Sequence, residues 1–386
     1  MTMDKTNKKT ILKVIGFSLL IVGVILIFAL GIVFDRTSTP DNMGREEIGN
    51  PYIEVSTLDE EVSLVGDVVL EWLDGESTAT ELYKKYSEYG TVYTSKSVLL
   101  YYSIFELSDS KSVVSQKIEL SENSAFKDAK IYNVGYDKRN IRFDYLYTGK
   151  NYYYRITAAL SDGTQIQANG QFRTADTPRL VILEGARNVR DIGGWQTVDG
   201  KIVRQGLFYR GSELDGVTEK KYVATDFDIE VLRDVLGIKT QMDLRGDSVG
   251  GKAFDKNVAY KTYAALDYNS CFADNGEQVL KNIFKDLSVK ENYPVYMHCN
   301  YGTDVTGTAS YFLGAVLGMS EQTLYKDWEM SVLCNGGASY KNMDAFVQNF
   351  KALEGETMQD KAYNYLISIG ITREELDSIR EILLED

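Results

Sequence analysis

The sequence predicts a chain in three parts: one transmembrane helix, an N-terminal β-sandwich, and an α/β domain whose largely parallel central sheet is flanked by helices. Three observations lead there. An uncharged run, Val14–Phe34, stands near the N-terminus. Between residues 51 and 175, short alternating runs are separated by turn signals. From about Pro178, strand-like apolar runs alternate with helical ones.

The first part follows from length and charge. Val14–Phe34 holds 21 residues without a charge, and a bilayer core needs about 20 apolar residues in a helix. The run is longer than the apolar region of a cleaved signal peptide, about 7–15 residues. Lys5, Lys8, Lys9 and Lys13 precede it, whereas only Arg36 and Arg45 follow closely. This asymmetry predicts a cytoplasmic N-terminus (1–13), an uncleaved anchor (14–34) and an extracytoplasmic remainder in the cell membrane. Residues 35–50 are polar, lack periodicity and read as a tether.

Residues 51–175 are rich in strand signals. The runs are Tyr52–Leu58, Val62–Leu73, Ser97–Leu107, Gln116–Leu120, Asn140–Tyr147, Asn151–Leu160 and Thr164–Thr174. Ser161-Asp162-Gly163 and Thr148-Gly149-Lys150-Asn151 read as turns between them. Such a succession suggests an antiparallel sandwich. Ser77–Tyr89 reads as a short inserted helix. The segments Leu146–Ile156 and Gly170–Thr174 resemble the end of a fibronectin type III domain. The resemblance implies that Tyr152 is a corner tyrosine bonding back to the upstream backbone, with Thr148 in place of the usual proline.

In the last part, Tyr222–Leu236 reads as a helix, Ile238–Arg245 as a strand, Val295–Met297 as a strand and Thr306–Leu317 as a helix. Thr372–Leu384 reads as a capped terminal helix: Thr372 is followed three residues later by Glu375, with apolar Leu376, Ile379, Ile382 and Leu383 on one face. In α/β folds ligands sit at the carboxyl ends of strands.

Composition narrows the function. The net charge is −14, from 42 basic and 56 acidic groups, which excludes a nucleic-acid partner needing a basic face. One histidine cannot supply a metal cluster, and no cofactor signature is present. Three cysteines, Cys271, Cys299 and Cys334, allow at most one disulfide, Cys271–Cys334, and leave Cys299 over.

His298, the single histidine, directly precedes Cys299 at the end of an apolar run, and a glycine-containing loop then opens a helix. A thiolate there is stabilised by the helix dipole and by backbone N–H groups, which also form a nest for phosphate oxygens. Asn300, Tyr301, Gly302, Thr303, Val305, Thr306 and Gly307 give the loop the length to wrap an anion. Gly302 and Gly307 permit tight curvature, Thr306 brings a hydroxyl near the thiolate, and His298 orients the loop.

The stretch His298-Cys299-Asn300-Tyr301-Gly302-Thr303-Asp304-Val305-Thr306-Gly307 resembles the His-Cys-x-x-Gly-x-Asp-Arg-Thr-Gly loop of the protein-tyrosine phosphatase superfamily, in its bacterial tyrosine and dual-specificity branch. Asn188–Gly194, Gly206–Ser212, Asp243-Leu244-Arg245 and Tyr365–Arg380 resemble further blocks of that branch, so the likeness covers residues 179–386. It implies the cysteine-phosphatase fold and a phosphorylated protein or small phosphomonoester as partner. Cys299 would be the nucleophile forming a phosphocysteine, and Asp304 the general acid. Asp267, 32 residues before Cys299, is the alternative acid.

One position departs from the pattern. Val305 stands where the family has the arginine that grips two phosphate oxygens. Arg245 and Arg190 are candidate substitutes; their other reading is ion pairing with Asp243 or Asp191. Three functions stay open: a weak phosphatase, a pseudophosphatase that binds phosphorylated or anionic ligands, and a surface adhesion or scaffold protein. The anchor is directly testable. The full chain is expected to sediment with membranes and a chain lacking residues 1–49 to stay in the supernatant; equal sedimentation of both would refute the anchor.

Overall fold

Local capping and long-range pairing divide the work in this structure, a computed structural model. It describes residues 50–385 except 76, 90–94, 265, 267, 269 and 336–338. The expected segments 1–13 and 14–34, nearly all of 35–50, and Asp267 lie outside the described residues. Among the described residues no helix is long and apolar enough to cross a membrane.

The first region runs β1 (Tyr52–Val55), β2 (Glu61–Val62), α1 (Asp67–Leu73), α2 (Ala79–Tyr86), β3 (Val98–Phe105), β4 (Val113–Ser121), β5 (Lys130–Val134), β6 (Asn140–Phe143), β7 (Asn151–Leu160) and β8 (Gln165–Thr174). The strands form a three-stranded sheet, β1-β3-β6, and a five-stranded sheet, β2-β8-β7-β4-β5. Their inner faces share one core. Leu100, Tyr102 and Phe143 from the first sheet meet Ile118, Ile156 and Phe172 from the second. Strict alternation along β7 buries Tyr152, Tyr154, Ile156, Ala158 and Leu160 on one face.

The run Val62–Leu73 is not a continuous strand. Glu61–Val62 pairs with β8, Val65 makes a single isolated bridge to Ser95, and Asp67–Leu73 is helical. Val69 and Trp72, three residues apart, share a helix face and are buried. That burial lies in the α/β core, where Val65, Val69, Trp72, Ala79 and Leu82 join the helices of the C-terminal region. Tertiary packing here overrides the strand propensity of Val68 and Val69. The α2 helix begins with a capping box between Thr78 and Glu81.

The second region runs β9 (Arg179–Leu180), β10 (Arg190–Asp191), β11 (Phe208–Gly211), α3 (Asp226–Glu230), β12 (Thr240–Asp243), β13 (Ala259–Thr262), α4 (Asp274–Leu287), β14 (Val295–His298), α5 (Asp304–Leu317), α6 (Glu321–Asn335), α7 (Tyr340–Lys351), α8 (Met358–Ser368) and α9 (Arg373–Leu383). Its sheet has the order β13-β12-β14-β11-β10-β9. The four strands from β13 to β11 are parallel, and β10 and β9 add antiparallel. The α3 helix starts later than Tyr222 because Val223 bridges Asp215, and a Thr225–Asp228 capping box sets the first turn. A π-helical turn, Val231–Val235, follows it. The α9 helix carries the Thr372–Glu375 capping box.

Residues 51–386 form one compact unit, and the two regions are stitched together. Buried Arg179 donates to the carbonyls of Leu146 and Tyr145 at 3.1 and 2.9 Å and to Asp191 at 2.8 Å. The Gln205 amide exchanges bonds of 2.9 and 2.8 Å with the backbone of Thr148. On the other side α2 packs on α6, and Lys326 lies 5.6 Å from the centre of the Trp72 ring. Trp72→Ala is therefore expected to destabilise the C-terminal region as well as its own, by about 3–5 kcal/mol. Denaturant unfolding checks this; a loss confined to a separate, earlier transition would contradict the shared core.

Candidate active site

Parallel pairing brings three strand ends level. His298 of β14 is opposite Gly211 of β11 on one side and Asp243 of β12 on the other. The period of two along β14 puts Val295, Met297 and Cys299 in the helix-covered core and Tyr296 in the core on the opposite face. Cys299 thus leaves the carboxyl edge of the sheet, largely buried, just before α5 begins at Asp304.

The loop between them is held by its carbonyls. The Asn300 carbonyl accepts from the Glu213 N–H at 3.2 Å. The Tyr301 carbonyl accepts from Asn188 Nδ2 at 3.1 Å, and the Gly302 carbonyl from Arg210 Nη2 at 2.8 Å. A planar trans peptide points its N–H opposite its C=O. Fixing three successive carbonyls into the protein body therefore turns the N–H groups of residues 301–303 the other way. The α5 N-terminus adds orphan N–H groups, and the Thr303 side chain makes no capping bond to them. Together these groups give the loop a face of backbone N–H donors, the arrangement that an anion nest requires.

One glycine is required here and a second is closely packed. Gly302 has φ +71°, and a Cβ on it would lie 2.3 Å from the Gly211 carbonyl oxygen. Gly307 sits in the first turn of α5, where a Cβ would lie 3.1 Å from Trp328 and 3.4 Å from Arg210 Nη2.

His298 is fully buried. The Phe254 N–H donates to Gln241 Oε1 at 2.9 Å, so the Gln241 amide nitrogen faces His298 Nε2 at 2.9 Å and donates to it. The ring proton is then on Nδ1, 3.4 Å from the Cys299 carbonyl oxygen. Burial lowers the His298 pKa, which keeps the ring neutral in this role.

The cation nearest the loop is Arg210, buried on β11 beneath it. It donates to Asp327 Oδ2 at 2.6 Å as well as to Gly302. Burial, and then the like charge of Arg190, push the Arg210 guanidinium down to about 10. Arg190 donates to Asp327 Oδ1 at 2.9 Å and to the Asp327 carbonyl at 2.7 Å. Burial alone would raise the Asp327 carboxyl; the two guanidinium groups outweigh it and hold it below the usual range. Arg245 is ringed by Glu213, by Asp215 at 2.7 Å and by Asp243 at 2.6 Å. Arg190 and Arg245 thus both sit in internal ion pairs. The partner of Arg190 is Asp327, not Asp191, which pairs with Arg179.

Asp304 is exposed, and its carboxylate accepts from the Tyr268 hydroxyl at 3.0 Å. That hydroxyl accepts from Trp328 Nε1 at 2.7 Å. Val305 is half-buried and packs against the helical core. Thr306 is buried, and its hydroxyl has no partner among the described residues; the same holds for Arg210 Nε. Cys271, Cys299 and Cys334 form no disulfide, so the Cys271–Cys334 bridge that the sequence allowed is not made.

Sequence reasoning did not assign Arg210, Asp327, Tyr268 or Trp328. Arg210 stands inside the quoted block Gly206–Ser212, so its place beside Gly211 was the available signal. Asp327 gave none, because its partners lie 117 and 137 residues away. Asp327→Asn would leave two buried guanidinium groups facing each other. It is expected to cost about 3–5 kcal/mol of stability; a loss under about 1 kcal/mol in denaturant unfolding would show that the pair is not buried together.

The core catalytic domain of the PP-IP phosphatase SIW14 from S. cerevisiae, solved with citrate, is 15% identical over 41% of this chain and 89% of its own, with a TM-score of 0.28. TpbA from P. aeruginosa is 14% identical over 44% of this chain and 91% of its own, with a TM-score of 0.28. No curated protein matches the chain. The sequence model of the tyrosine phosphatase family matches residues 181–385, more than half the chain, with the whole of the loop and every strand of the sheet described above except β9; the protein belongs to the tyrosine phosphatase family.

Proposed function

We propose that this protein is a membrane-anchored, extracytoplasmic phosphatase that hydrolyses phosphomonoesters through a phosphocysteine at Cys299, slowly because Val305 replaces the phosphate-gripping arginine. The pinned loop supports this reading: three successive carbonyls are anchored in the protein body, which turns the intervening amide N–H groups the other way, as an anion nest beside Cys299 needs. Family membership adds phosphorylated substrates, with phosphotyrosine first by analogy.

In the first step the Cys299 thiolate attacks phosphorus, and the phosphorus–oxygen ester bond breaks. Asp304 gives its proton to the leaving oxygen. Tyr268, tied to Trp328, positions the Asp304 carboxyl. In the second step Asp304 takes a proton from water, the water oxygen attacks phosphorus, and the phosphorus–sulfur bond breaks to return the thiolate. The unpartnered Thr306 hydroxyl and Arg210 Nε–H are buried donors that an anion on the loop would satisfy.

The domain plan belongs to the same proposal: residues 1–13 cytoplasmic, 14–34 the anchor, 35–50 a linker, 51–175 a fibronectin type III-like sandwich and 179–386 the phosphatase domain. The sandwich reading is supported by the two sheets sharing one core and by Tyr152, whose hydroxyl accepts from the Tyr147 N–H at 2.9 Å. A second reading, a pseudophosphatase that binds without turnover, is favoured by the apolar packing of Val305 and by the internal pairing of Arg190 and Arg245.

Steady-state hydrolysis of an aryl phosphate by the full chain in detergent separates the two. Wild type is expected to exceed Cys299→Ser, and Val305→Arg to gain about 10²–10³ in kcat. If wild type and Val305→Arg both equal Cys299→Ser, the enzyme reading fails and the binding reading stands.

A further inference from the structure

A cleft of about 290 Å³ opens beside the loop, and Tyr301 of the loop lines it. Its other walls include Arg187, Lys221 and Tyr222 from the phosphatase region and Tyr83 from α2 of the first region. Tyr222 and Tyr301 meet edge to face, with ring centres 6.0 Å apart at 85°. Lys221 Nζ stands 4.9 Å from the Tyr222 ring and 5.9 Å from the Tyr301 ring.

Two cations, Arg187 and Lys221, and two carboxylates, Glu184 and Glu219, stand around the cleft; Glu219 accepts from the Tyr301 hydroxyl. Arg187 and Lys221 are both exposed, and among the described residues neither forms an ion pair with a carboxylate. Arg187 Nη1 donates only to backbone carbonyls, at 3.0 Å to Ala186 and at 3.4–3.5 Å to Leu183 and Glu184. The one carboxylate in the lining, Glu184, accepts from the Thr225 hydroxyl at 2.9 Å. Both carboxylates are engaged by hydroxyl donors of Thr225 and Tyr301, which leaves Arg187 and Lys221 as the cleft's charges without a carboxylate partner, beside a loop proposed to bind an anion.

We propose that this cleft receives a second anionic group of the substrate, carried on the same molecule as the phosphate held at Cys299, and that Tyr83 forms one of its walls. The inference rests on the loop binding phosphate, as proposed above. The second anion is a carboxylate of an acidic side chain near a phosphorylated residue, or a second phosphate of a small molecule. Either makes the same contacts: charge to Lys221 and Arg187, and apolar contact to the tyrosine rings. Because Tyr83 comes from α2, the first region helps set which substrates fit.

The test is calorimetric binding to the full chain in detergent carrying Cys299→Ser, which blocks turnover. Two probe pairs distinguish the sources: a phosphotyrosine peptide with flanking glutamates against the same peptide with glutamines, and fructose 1,6-bisphosphate against fructose 6-phosphate. In the pair matching the natural source, the doubly anionic member should bind about three- to tenfold tighter. Adding Lys221→Glu, an exposed position whose change leaves the core intact, should bring that ratio to about one, and Tyr83→Ala should lower it too. A ratio of one in both pairs, with binding retained, overturns the cleft while leaving the loop reading standing. A ratio that persists in Lys221→Glu also overturns it, and an unchanged ratio in Tyr83→Ala removes the wall assigned to the first region. If no phosphorylated probe binds, both the loop and the cleft readings fall.

Discussion

Asp327 lies between two buried guanidinium groups, and the shape of the loop depends on that contact. Through Arg210 the carboxylate reaches the Gly302 carbonyl. Through Arg190 it reaches Asn188, whose amide nitrogen holds the Tyr301 carbonyl. Two like charges this close would repel strongly in a low-dielectric interior, so neither arginine could remain without the carboxylate. The pairing also leaves the cluster with an excess of positive charge beneath the position where a thiolate and a phosphate would sit. One helix side chain thereby fixes both the direction of the loop amides and the sign of the local field.

The helix that carries Asp327 has further duties. Trp328 ties Tyr268, and through it Asp304. Ser331 accepts from Asn188 at 3.1 Å. The same helix, α6, is covered by the α1–α2 hairpin of the first region. A rigid helix packed on one side by the hairpin and bonded on the other to the loop transmits strain rather than absorbing it, because protein interiors are close-packed. The first region is therefore built into the support of the site, and the stitches at Arg179 and Gln205 point the same way.

Val305 sets the character of the pocket. A valine side chain cannot donate a hydrogen bond, and here it adds to the apolar packing of α5. What remains for an anion is the amide nest, the helix dipole and the field of Arg210. On the proposed reading, such fixed partial charges would hold a ground-state phosphate but lack the bidentate grip that tightens as charge moves to the equatorial oxygens.

The local features were legible in the chain itself. Alternation over Asn151–Leu160 marked β7 to the residue, and Thr372 with Glu375 marked the cap of α9. The spacing of His298, Cys299, Gly302 and Gly307 marked a loop between a strand and a helix, which the structure contains. Period, cap and turn chemistry act between neighbours, so a sequence displays them directly. The helical state of Asp67–Leu73 was not legible, because Val69 and Trp72 are buried by helices more than two hundred residues onward. The same holds for the Arg190–Asp327–Arg210 cluster and for the cleft that Tyr83 shares with Tyr301. Those pairings arise only when strand order and helix packing bring distant side chains together, and no local pattern encodes which distant carboxylate a buried arginine will meet.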